Sequence, residues 1–337
     1  MPLQILQLSK AFRPGTSITY PPFKNGLYLE EFVYNALIQQ ADSIDTRYIY
    51  IPVFWTNLQN HPGFKRMRDN YNILLQNSLR ELEQELQQEL QQELERELEK
   101  EVEERYYQFK ESQRQQQQQQ QKQKQQSVIF FTVVQHDDGP LLELPKNTII
   151  FGSCTGTVPI PLIYEDVSER LSTTPRKEKT LLASFVGTST THPLRQDLVK
   201  RLSTHENILV SGKPQWSSVI KKDDVETFID ATLTSKFCIA PRGYGRSSFR
   251  FFESIQLDTI PVYVWDDVEW LPYKDVLTYE EFSLSIQKKD VPKICDILES
   301  VTEDEYKDMQ VALKKVKPFF TLDYLVTHII ESISSSS

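Results

Sequence analysis

The densest group of residues that could do chemistry lies within residues 236–262, which read KFCIAPRGYGRSSFRFFESIQLDTIPV. Three arginines, Arg242, Arg246 and Arg250, surround a Gly-Tyr-Gly turn that begins at Gly243. A guanidinium donates parallel hydrogen bonds to phosphate oxygens. Glycine can take positive φ and lets backbone N–H groups approach an anion closely. These residue types at this spacing predict a turn that binds a phosphate or diphosphate.

The elements around this turn follow the order strand, turn, helix, strand. Phe237–Ala240 is a short apolar run that suits a buried strand, and Thr259–Trp265 is a second run rich in β-branched and aromatic residues. Between them, Ser247 or Ser248 is suited to be the N-cap of an amphipathic helix that begins near Phe249. A parallel crossover is the expected connection, and it places the helix N-terminus beside the arginines.

Glu253 lies three residues after Arg250 on the same predicted helix. A carboxylate at this place can accept hydrogen bonds from the vicinal hydroxyls of a ribose. The alternative is a surface pair between Arg250 and Glu253, worth about 0.2–0.5 kcal/mol. Because Ser248 stands where a dinucleotide fingerprint has its third glycine, a nicotinamide-dependent oxidoreductase is disfavoured.

A second group, His136-Asp137-Asp138-Gly139, follows the buried-strand pattern of residues 128–135. Asp137 is a carboxylate at the carboxyl end of a strand, where α/β sheets bind ligands, and we predict it to be a general base. His136 and Asp138 are the alternatives for this role. A simple turn with Asx hydrogen bonds is the competing interpretation of the four residues.

The arginine-rich segment resembles the signature of the exostosin-like glycosyltransferases, which runs roughly S-K-F-C-x-x-P-x-G, then S-x-R-x-x-E, then I-P-V. The matching positions are Ser235–Cys238, Pro241, Gly243, Ser248, Arg250, Glu253 and Ile260–Val262. Other segments also resemble elements of that family: Ile51–Asn57, His136–Asp137, Phe185–Gly187 with Pro193 and Arg195, and Trp270–Tyr273. Leu257-Asp258-Thr259 departs from the family's A-G-C, whose glycine permits tight helix–strand packing.

The resemblance implies an α/β fold of the GT-B type, with two doubly wound Rossmann-like domains and a cleft between them. It also implies an inverting transfer of a sugar from a UDP-sugar donor to a glycan hydroxyl, as in soluble members of bacteria or large DNA viruses. Asp137 or His136 would then act as the catalytic base. The departing diphosphate would be held by Arg195, Gly243, Ser247, Ser248 and Arg250. Glu253 would hold the ribose, and Asp266 and Arg242 the donor sugar.

We expect this transfer to need no metal and no other cofactor. The sequence has no D-x-D motif of the kind that clamps Mn²⁺, and in adjacent pairs such as Asp137-Asp138 and Asp266-Asp267 the side chains point apart on a strand. A structural cap is the alternative role for Asp266. The alternative function is a non-catalytic nucleotide- or sugar-binding module.

Residues 79–126 form a low-complexity segment rich in Glu, Gln and Leu. In a non-catalytic binding module, this segment would make the contacts with other proteins. Between residues 81 and 104 there are eleven Glu against Arg96 and Lys100, which equals the whole net charge of −9. The rest of the chain is neutral, so nothing indicates a nucleic-acid partner or a polybasic membrane surface. The leucines recur every four residues, too long a period for a coiled-coil seam, and predict a solvated helical arm.

The length of 337 residues allows two domains, and we place their boundary in the polar stretch after Glu165. Residues 1–166 would form the acceptor-binding domain, with the arm inserted, and residues 167–337 the nucleotide-sugar domain, whose last helix would pack back towards the first. No signal peptide or 18-residue apolar stretch is present, so we expect a soluble, cytoplasmic protein without membrane insertion. Three widely spaced cysteines without a C-x-x-C pair predict reduced thiols. The oligomeric state is open.

Overall fold

The computed structural model describes residues 1–15, 28–109, 129–164, 171–215 and 222–334; for residue 94 and residues 97–109 it describes the backbone alone. These residues form two parallel β-sheets, each covered by helices. Both sheets are parallel throughout, and this confirms the predicted α/β class with two Rossmann-like sheets.

The N-terminal sheet has the strand order β1-β2-β3-β4-β5, which is also the order along the chain. Its strands are β1 (Gln4–Ile5), β2 (Tyr48–Tyr50), β3 (Ile129–Val134), β4 (Ile149–Gly152) and β5 (Val158–Pro159). Its helices are α1 (Leu29–Gln40), α2 (Trp55–Gln59) and α3 (Phe64–Phe109). The central strand β3 is buried on both faces from Phe130 to Val134, as a parallel strand with helices on both faces must be.

The C-terminal sheet has the order β10-β9-β8-β6-β7. Its strands are β6 (Leu181–Thr188), β7 (Ile208–Lys213), β8 (Ser235–Pro241), β9 (Ile260–Trp265) and β10 (Leu284–Gln287). The helices of this half are α4 (Pro193–Leu202), α5 (Lys222–Thr234), α6 (Phe249–Gln256), α7 (Ile294–Ser300), α8 (Glu303–Val316) and α9 (Leu322–Ile333). After β7 the chain returns to the other side of β6, so the winding direction reverses between β6 and β8.

Helix α6 joins β8 to β9 by the predicted parallel crossover. Phe251, Phe252 and Ile255 are buried, and Phe251 packs edge-to-face against Tyr263 of β9 with ring centroids 6.0 Å apart. Burial of such side chains stabilises the fold by about 1.5–3 kcal/mol each. The turn between α6 and β9 is therefore held by the core of the C-terminal half.

Two elements have bounds that their local sequence does not indicate. The apolar run Tyr48–Trp55 ends as a strand at Tyr50, because Trp55 begins helix α2, where its indole Nε1 donates to Thr132 Oγ1 of β3 at 2.9 Å. Gly187 is the penultimate residue of β6, which runs on to Thr188 because Thr188 pairs with Lys213 of β7. In both cases a tertiary partner decides the bounds of the element.

Helix α3 is continuous for 46 residues, and its N-terminal part packs on the N-terminal half of the molecule. Leu75 and Leu79 are buried there, and Leu82 and Leu86 are half-buried against the same core. Spacings of four, three and four residues keep these side chains on one helix face. Leu90 is 58% exposed, so the solvated part of the helix begins after Leu86 rather than at residue 79. Residues 110–126 of the expected arm lie outside the described residues.

The C-terminal helix α9 packs against α1 of the N-terminal half, and Thr46 Oγ1 donates a hydrogen bond to the carbonyl of Ile333. The predicted domain boundary at residue 166 lies outside the described residues. Within the described ranges, no helix combines the length and the apolar character needed to cross a bilayer.

Candidate active site

The reversal of winding in the C-terminal sheet brings three loops together at the carboxyl ends of its strands. Residues 189–192 follow β6, residues 242–247 follow β8 and Asp266-Asp267 follow β9. Ligands of open α/β sheets bind at such a switch point. The predicted donor-binding residues Arg242, Gly243 and Asp266 therefore lie where this topology places a ligand.

The loop of residues 242–247, which we call the arginine loop, is held by ion pairs to the loop after β9. Arg242 Nη1 lies 2.7 Å from Asp266 Oδ1 and 2.8 Å from Asp267 Oδ1, and Arg246 Nε lies 2.8 Å from Asp267 Oδ2. The positive charges of the two arginines are thus neutralised by the two aspartates. The two residues predicted to contact the donor sugar, Arg242 and Asp266, are paired with one another.

Arg195 braces the arginine loop from helix α4. Its guanidinium donates to three backbone carbonyls, those of Arg242 at 2.8 Å, Pro241 at 2.9 Å and Thr188 at 3.1 Å. These bonds tie the ends of β6 and β8 together. The structure places Arg195 beside Gly243, as predicted, and adds a bracing role that the sequence did not indicate.

The two glycines of the loop are needed because neighbouring atoms leave little room for a side chain, not because the backbone takes an unusual conformation. Neither Gly243 nor Gly245 has φ in the left-handed region, contrary to the use we expected of them. A Cβ on Gly245 would lie 2.4 Å from Asp137 Oδ1 and 2.5 Å from Cys154 Sγ. Only a residue without a side chain fits there.

Helix α6 begins directly after the loop. Ser248 is its N-cap, as predicted, but its side chain makes no capping hydrogen bond, and both Ser247 and Ser248 are buried. The first N–H groups of α6 are thus not capped by that hydroxyl, and they lie next to the arginine loop. A helix N-terminus of this kind favours an anion.

Glu253 and Arg250 form the expected pair, with Arg250 Nη1 2.5 Å from Glu253 Oε2, but the pair is not on the surface. The Glu253 side chain is 6% exposed, and Tyr164 Oη donates to its other oxygen, Oε1, at 2.8 Å. Arg250 also lies over the Phe228 ring, 3.7 Å from its centroid, and donates to the carbonyl of Val186. The ribose contact of Glu253 stays a prediction.

Two buried polar atoms at this site lack a partner within the described part of the chain: Thr191 Oγ1 and Arg242 Nε. Thr191 is 8% exposed, and its hydroxyl lies 3.7 Å from the place of a Cβ on Gly243. Buried polar groups are nearly always hydrogen-bonded. Two buried polar atoms without a hydrogen-bond partner beside the same loop are therefore typical of a ligand site. The polar run Ser189–His192 after a strand is the sequence signal by which Thr191 could have been identified.

His192 is the N-cap of α4 and links that helix to Asp266. Its Nδ1 accepts from the N–H of Leu194 at 3.3 Å, so the proton of the neutral ring is on Nε2, which lies 3.4 Å from Asp266 Oδ2. Burial lowers the pKa of His192, and the positive charge of Arg242 lowers it further. A neutral His192 therefore holds the carboxylate that in turn binds Arg242.

Asp137 belongs to the N-terminal half of the molecule and contacts the arginine loop of the C-terminal half. Its Oδ1 accepts a hydrogen bond from Cys154 Sγ at 3.5 Å and lies against Gly245, where an added Cβ would be only 2.4 Å away. Burial raises the pKa of Asp137, and neighbouring His136 opposes the rise. The predicted base and the arginine loop, remote in sequence, are thus in direct contact.

The remaining residues of the His136–Gly139 segment form a turn. The N–H of Gly139 bonds to the carbonyl of His136 at 3.0 Å, and His136 Nδ1 accepts from the N–H of Asp138 at 3.2 Å. Burial lowers the pKa of His136, so its ring is neutral near pH 7. The side chain of Asp138 is 72% exposed. The segment therefore forms the turn and also places the half-buried carboxylate of Asp137 against the arginine loop.

Two further contacts join the N-terminal and C-terminal halves beside Asp137. Trp270 Nε1 donates to the carbonyl of Gly152 at 3.1 Å, and Arg246 Nη1 lies 3.4 Å from Thr155 Oγ1. The Arg246 guanidinium also lies 5.8 Å from the Trp270 ring. Gly152 at the end of β4 and Cys154 after it also belong to the site, and no local sequence pattern predicts this.

No cluster of three or more His, Cys, Asp or Glu side chains is placed to hold a metal ion in the described ranges. The predicted absence of a metal requirement remains a prediction.

A model of the Exostosin GT47 domain matches residues 143–301, from the segment before β4 to the end of α7. This range contains the arginine loop, α6 and the loops after β6 and β9. The resemblance to the exostosin-like glycosyltransferases is confirmed. His136 and Asp137 lie just outside the matched range, so their assignment depends on the geometry described above.

Individual proteins match parts of the chain of different length. A probable glycosyltransferase of Arabidopsis thaliana is 37% identical over 83 residues, 25% of this chain and 17% of that protein. A second one from the same plant is 27% identical over 186 residues, 54% of this chain and 31% of that protein. The chain therefore spans less than a third of the length of these relatives. Among solved structures, sucrose-phosphate synthase from Thermosynechococcus elongatus is 13% identical with a TM-score of 0.36, over 60% of this chain and 57% of that one.

Proposed function

We propose that this protein is an inverting glycosyltransferase that transfers a sugar from a UDP-sugar to a hydroxyl group of a glycan. The observation that supports it most directly is the contact between Asp137 and Gly245, which joins a half-buried carboxylate of one half to the arginine loop of the other. The Exostosin GT47 match over residues 143–301 supports the reaction class.

In this reaction the acceptor oxygen attacks the anomeric carbon from the face opposite the diphosphate. The new C–O bond forms as the bond to the phosphate oxygen breaks, UDP leaves with that electron pair, and the anomeric configuration inverts. Asp137 takes the proton of the acceptor hydroxyl. Burial raises the pKa of Asp137, which moves a carboxylate towards the range where a general base works best near neutral pH.

The charge that develops on the departing diphosphate needs preorganised donors. We assign this role to the N-terminus of α6 after Ser248, to the buried Thr191 hydroxyl and Arg242 Nε, and to Arg250. A helix N-terminus contributes about 0.3–2 kcal/mol, so the arginines must supply the larger part. With these groups present, we propose that no metal ion is required.

The test is to incubate the protein with a panel of UDP-sugars and to measure UDP release, with and without simple sugar acceptors and with and without EDTA. Release that depends on an acceptor and persists in EDTA is the expected result. UDP binding without release under any condition would refute the enzyme and favour the non-catalytic binding module. Release that EDTA abolishes would refute the metal-independent mechanism alone.

A further inference from the structure

A fully buried carboxylate, that of Glu30, lies at the carboxyl end of the N-terminal sheet. Glu30 is the second residue of α1 and is fully buried, with 0% of its surface exposed. A buried charge is costly unless hydrogen bonds satisfy it, so a residue of this type in this place needs a specific reason.

The Glu30 carboxylate accepts hydrogen bonds from donors in two other segments of the chain. Its Oε2 accepts from the N–H of Thr56 at 3.0 Å, and its Oε1 accepts from Thr56 Oγ1 at 2.9 Å. Oε1 also accepts from the N–H of Gln135 at 2.8 Å. Glu30 thus joins α1, the first turn of α2 and the residue that follows β3.

The link to Gln135 is reciprocal. The side chain of Gln135 is buried, and its Oε1 accepts from the N–H of Leu29 at 3.0 Å. Two hydrogen bonds therefore run between the start of α1 and Gln135, one in each direction. Gln135 precedes Asp137 by two residues, so these bonds fix the backbone from which the Asp137 side chain projects.

We propose that Glu30 is a positioning residue for Asp137, which acts by holding Gln135 and the turn that follows it in the orientation needed for transfer. This inference rests on the proposed function. An ionised carboxylate, the form that Glu30 takes above its pKa of about 7, accepts from all three donors at once, whereas an amide in its place would turn one N–H group towards another. Because Oε2 accepts from the N–H of Thr56, the –NH₂ of a glutamine there would oppose a donor.

The test compares Glu30→Gln with Glu31→Gln, a matched change in the next residue, whose Oε1 accepts from the Asn57 amide at 2.8 Å. The measurements are UDP release at saturating and subsaturating donor and the Kd for UDP. Misplacing a reacting group by about 1 Å can lower the rate about 100-fold. We expect Glu30→Gln to lower kcat about 10- to 100-fold with the Kd for UDP unchanged within twofold, and Glu31→Gln to stay within twofold in both.

A double variant separates positioning from a general structural role. If Glu30 acts through Asp137, Glu30→Gln should lower kcat no further in an Asp137→Asn background. Additive losses in the double variant, or an equal loss of UDP affinity and kcat in Glu30→Gln, would overturn the proposal. If Glu30→Gln does not fold, Gln135→Ala removes the reciprocal bond instead, and wild-type kcat in that variant would overturn the proposal as well.

The two proposals fail in different ways. No UDP release from the wild-type protein would refute the proposed function and this inference with it. Release by the wild type together with an unchanged kcat in Glu30→Gln would refute this inference alone.

Discussion

At the scale of single residues, Gly245 determines how closely the two halves of the molecule approach each other. Its Cα faces Asp137 and Cys154, and a side chain there would overlap both. The sequence predicted the need for glycine in this loop but gave the wrong reason, since the backbone is not left-handed. A contact across 108 positions of the chain has no local pattern, so the reason could not be found from sequence.

We therefore expect Gly245→Ala to lower UDP release at least about 100-fold, because the added methyl group displaces the arginine loop from Asp137. Gly63→Ala is the control: its Cβ would make only ordinary contact, 3.5 Å from His61 Nδ1, far along the chain from the loop. Steady-state assays of both variants with the same donor check this. Wild-type activity in Gly245→Ala would show that the contact is dispensable.

The raised pKa of Glu30 leads to a prediction of how the free energy of unfolding depends on pH. Burial raises its pKa from 4.5 to about 7, so between these values the folded protein binds a proton that the unfolded chain releases. Stability from this group is therefore fully present below pH 4.5 and is lost as pH rises through about 7. The loss amounts to about 2–3 kcal/mol between pH 5 and pH 7.5.

Urea unfolding of the wild type and of Glu30→Gln at these two pH values measures the effect, because titrations that the two proteins share cancel in the difference. The wild type should lose stability relative to Glu30→Gln as the pH rises. A difference that is constant with pH, or that changes in the opposite direction, would contradict the assigned cause.

At the scale of elements, most helices and strands of the C-terminal half follow from local pattern. Pro193–Leu202 forms a helix, because Pro193 suits its first turn and the apolar spacing fits one face. The turn after α6 did not follow from the family pattern. Asp258 stands where the family has glycine and takes φ = 54°, and Arg176 and Lys317 bind its carboxylate at 2.6 and 2.7 Å. These distant partners could not be identified from sequence.

Helix α3 yields a prediction about the arm. Deleting residues 88–126 and closing the gap with a short linker should leave UDP release and thermal stability close to wild type, because the half-buried Leu82 and Leu86 are kept. Deleting residues 81–126 removes both leucines and should cost about 1–3 kcal/mol of stability. Thermal unfolding of the two deletion variants compares them. Equal melting temperatures would show that the packing of Leu82 and Leu86 contributes nothing.

At the scale of the whole molecule, the candidate site is assembled from both sheets. The N-terminal half supplies Asp137 and Cys154, and the C-terminal half supplies the arginine loop and Trp270. The sequence predicted Asp137 and the loop for one site, because the carboxyl ends of parallel strands bind ligands and because both segments resemble one family. It did not predict Cys154, Thr191 or Glu30, whose roles arise only from contacts between distant segments.

The central claim is that Asp137 performs the proton transfer while the C-terminal half binds UDP. Asp137→Asn tests it most directly, because asparagine keeps the shape and an oxygen that can accept from Cys154 Sγ but is a poor base. General bases contribute about 10²- to 10⁴-fold, so we expect UDP release to fall by at least 100-fold while the Kd for UDP, measured by calorimetry, stays within twofold. Asp138→Asn, at an exposed position, should leave both values unchanged. Transfer at the wild-type rate by Asp137→Asn, or loss of UDP affinity together with transfer, would contradict the account.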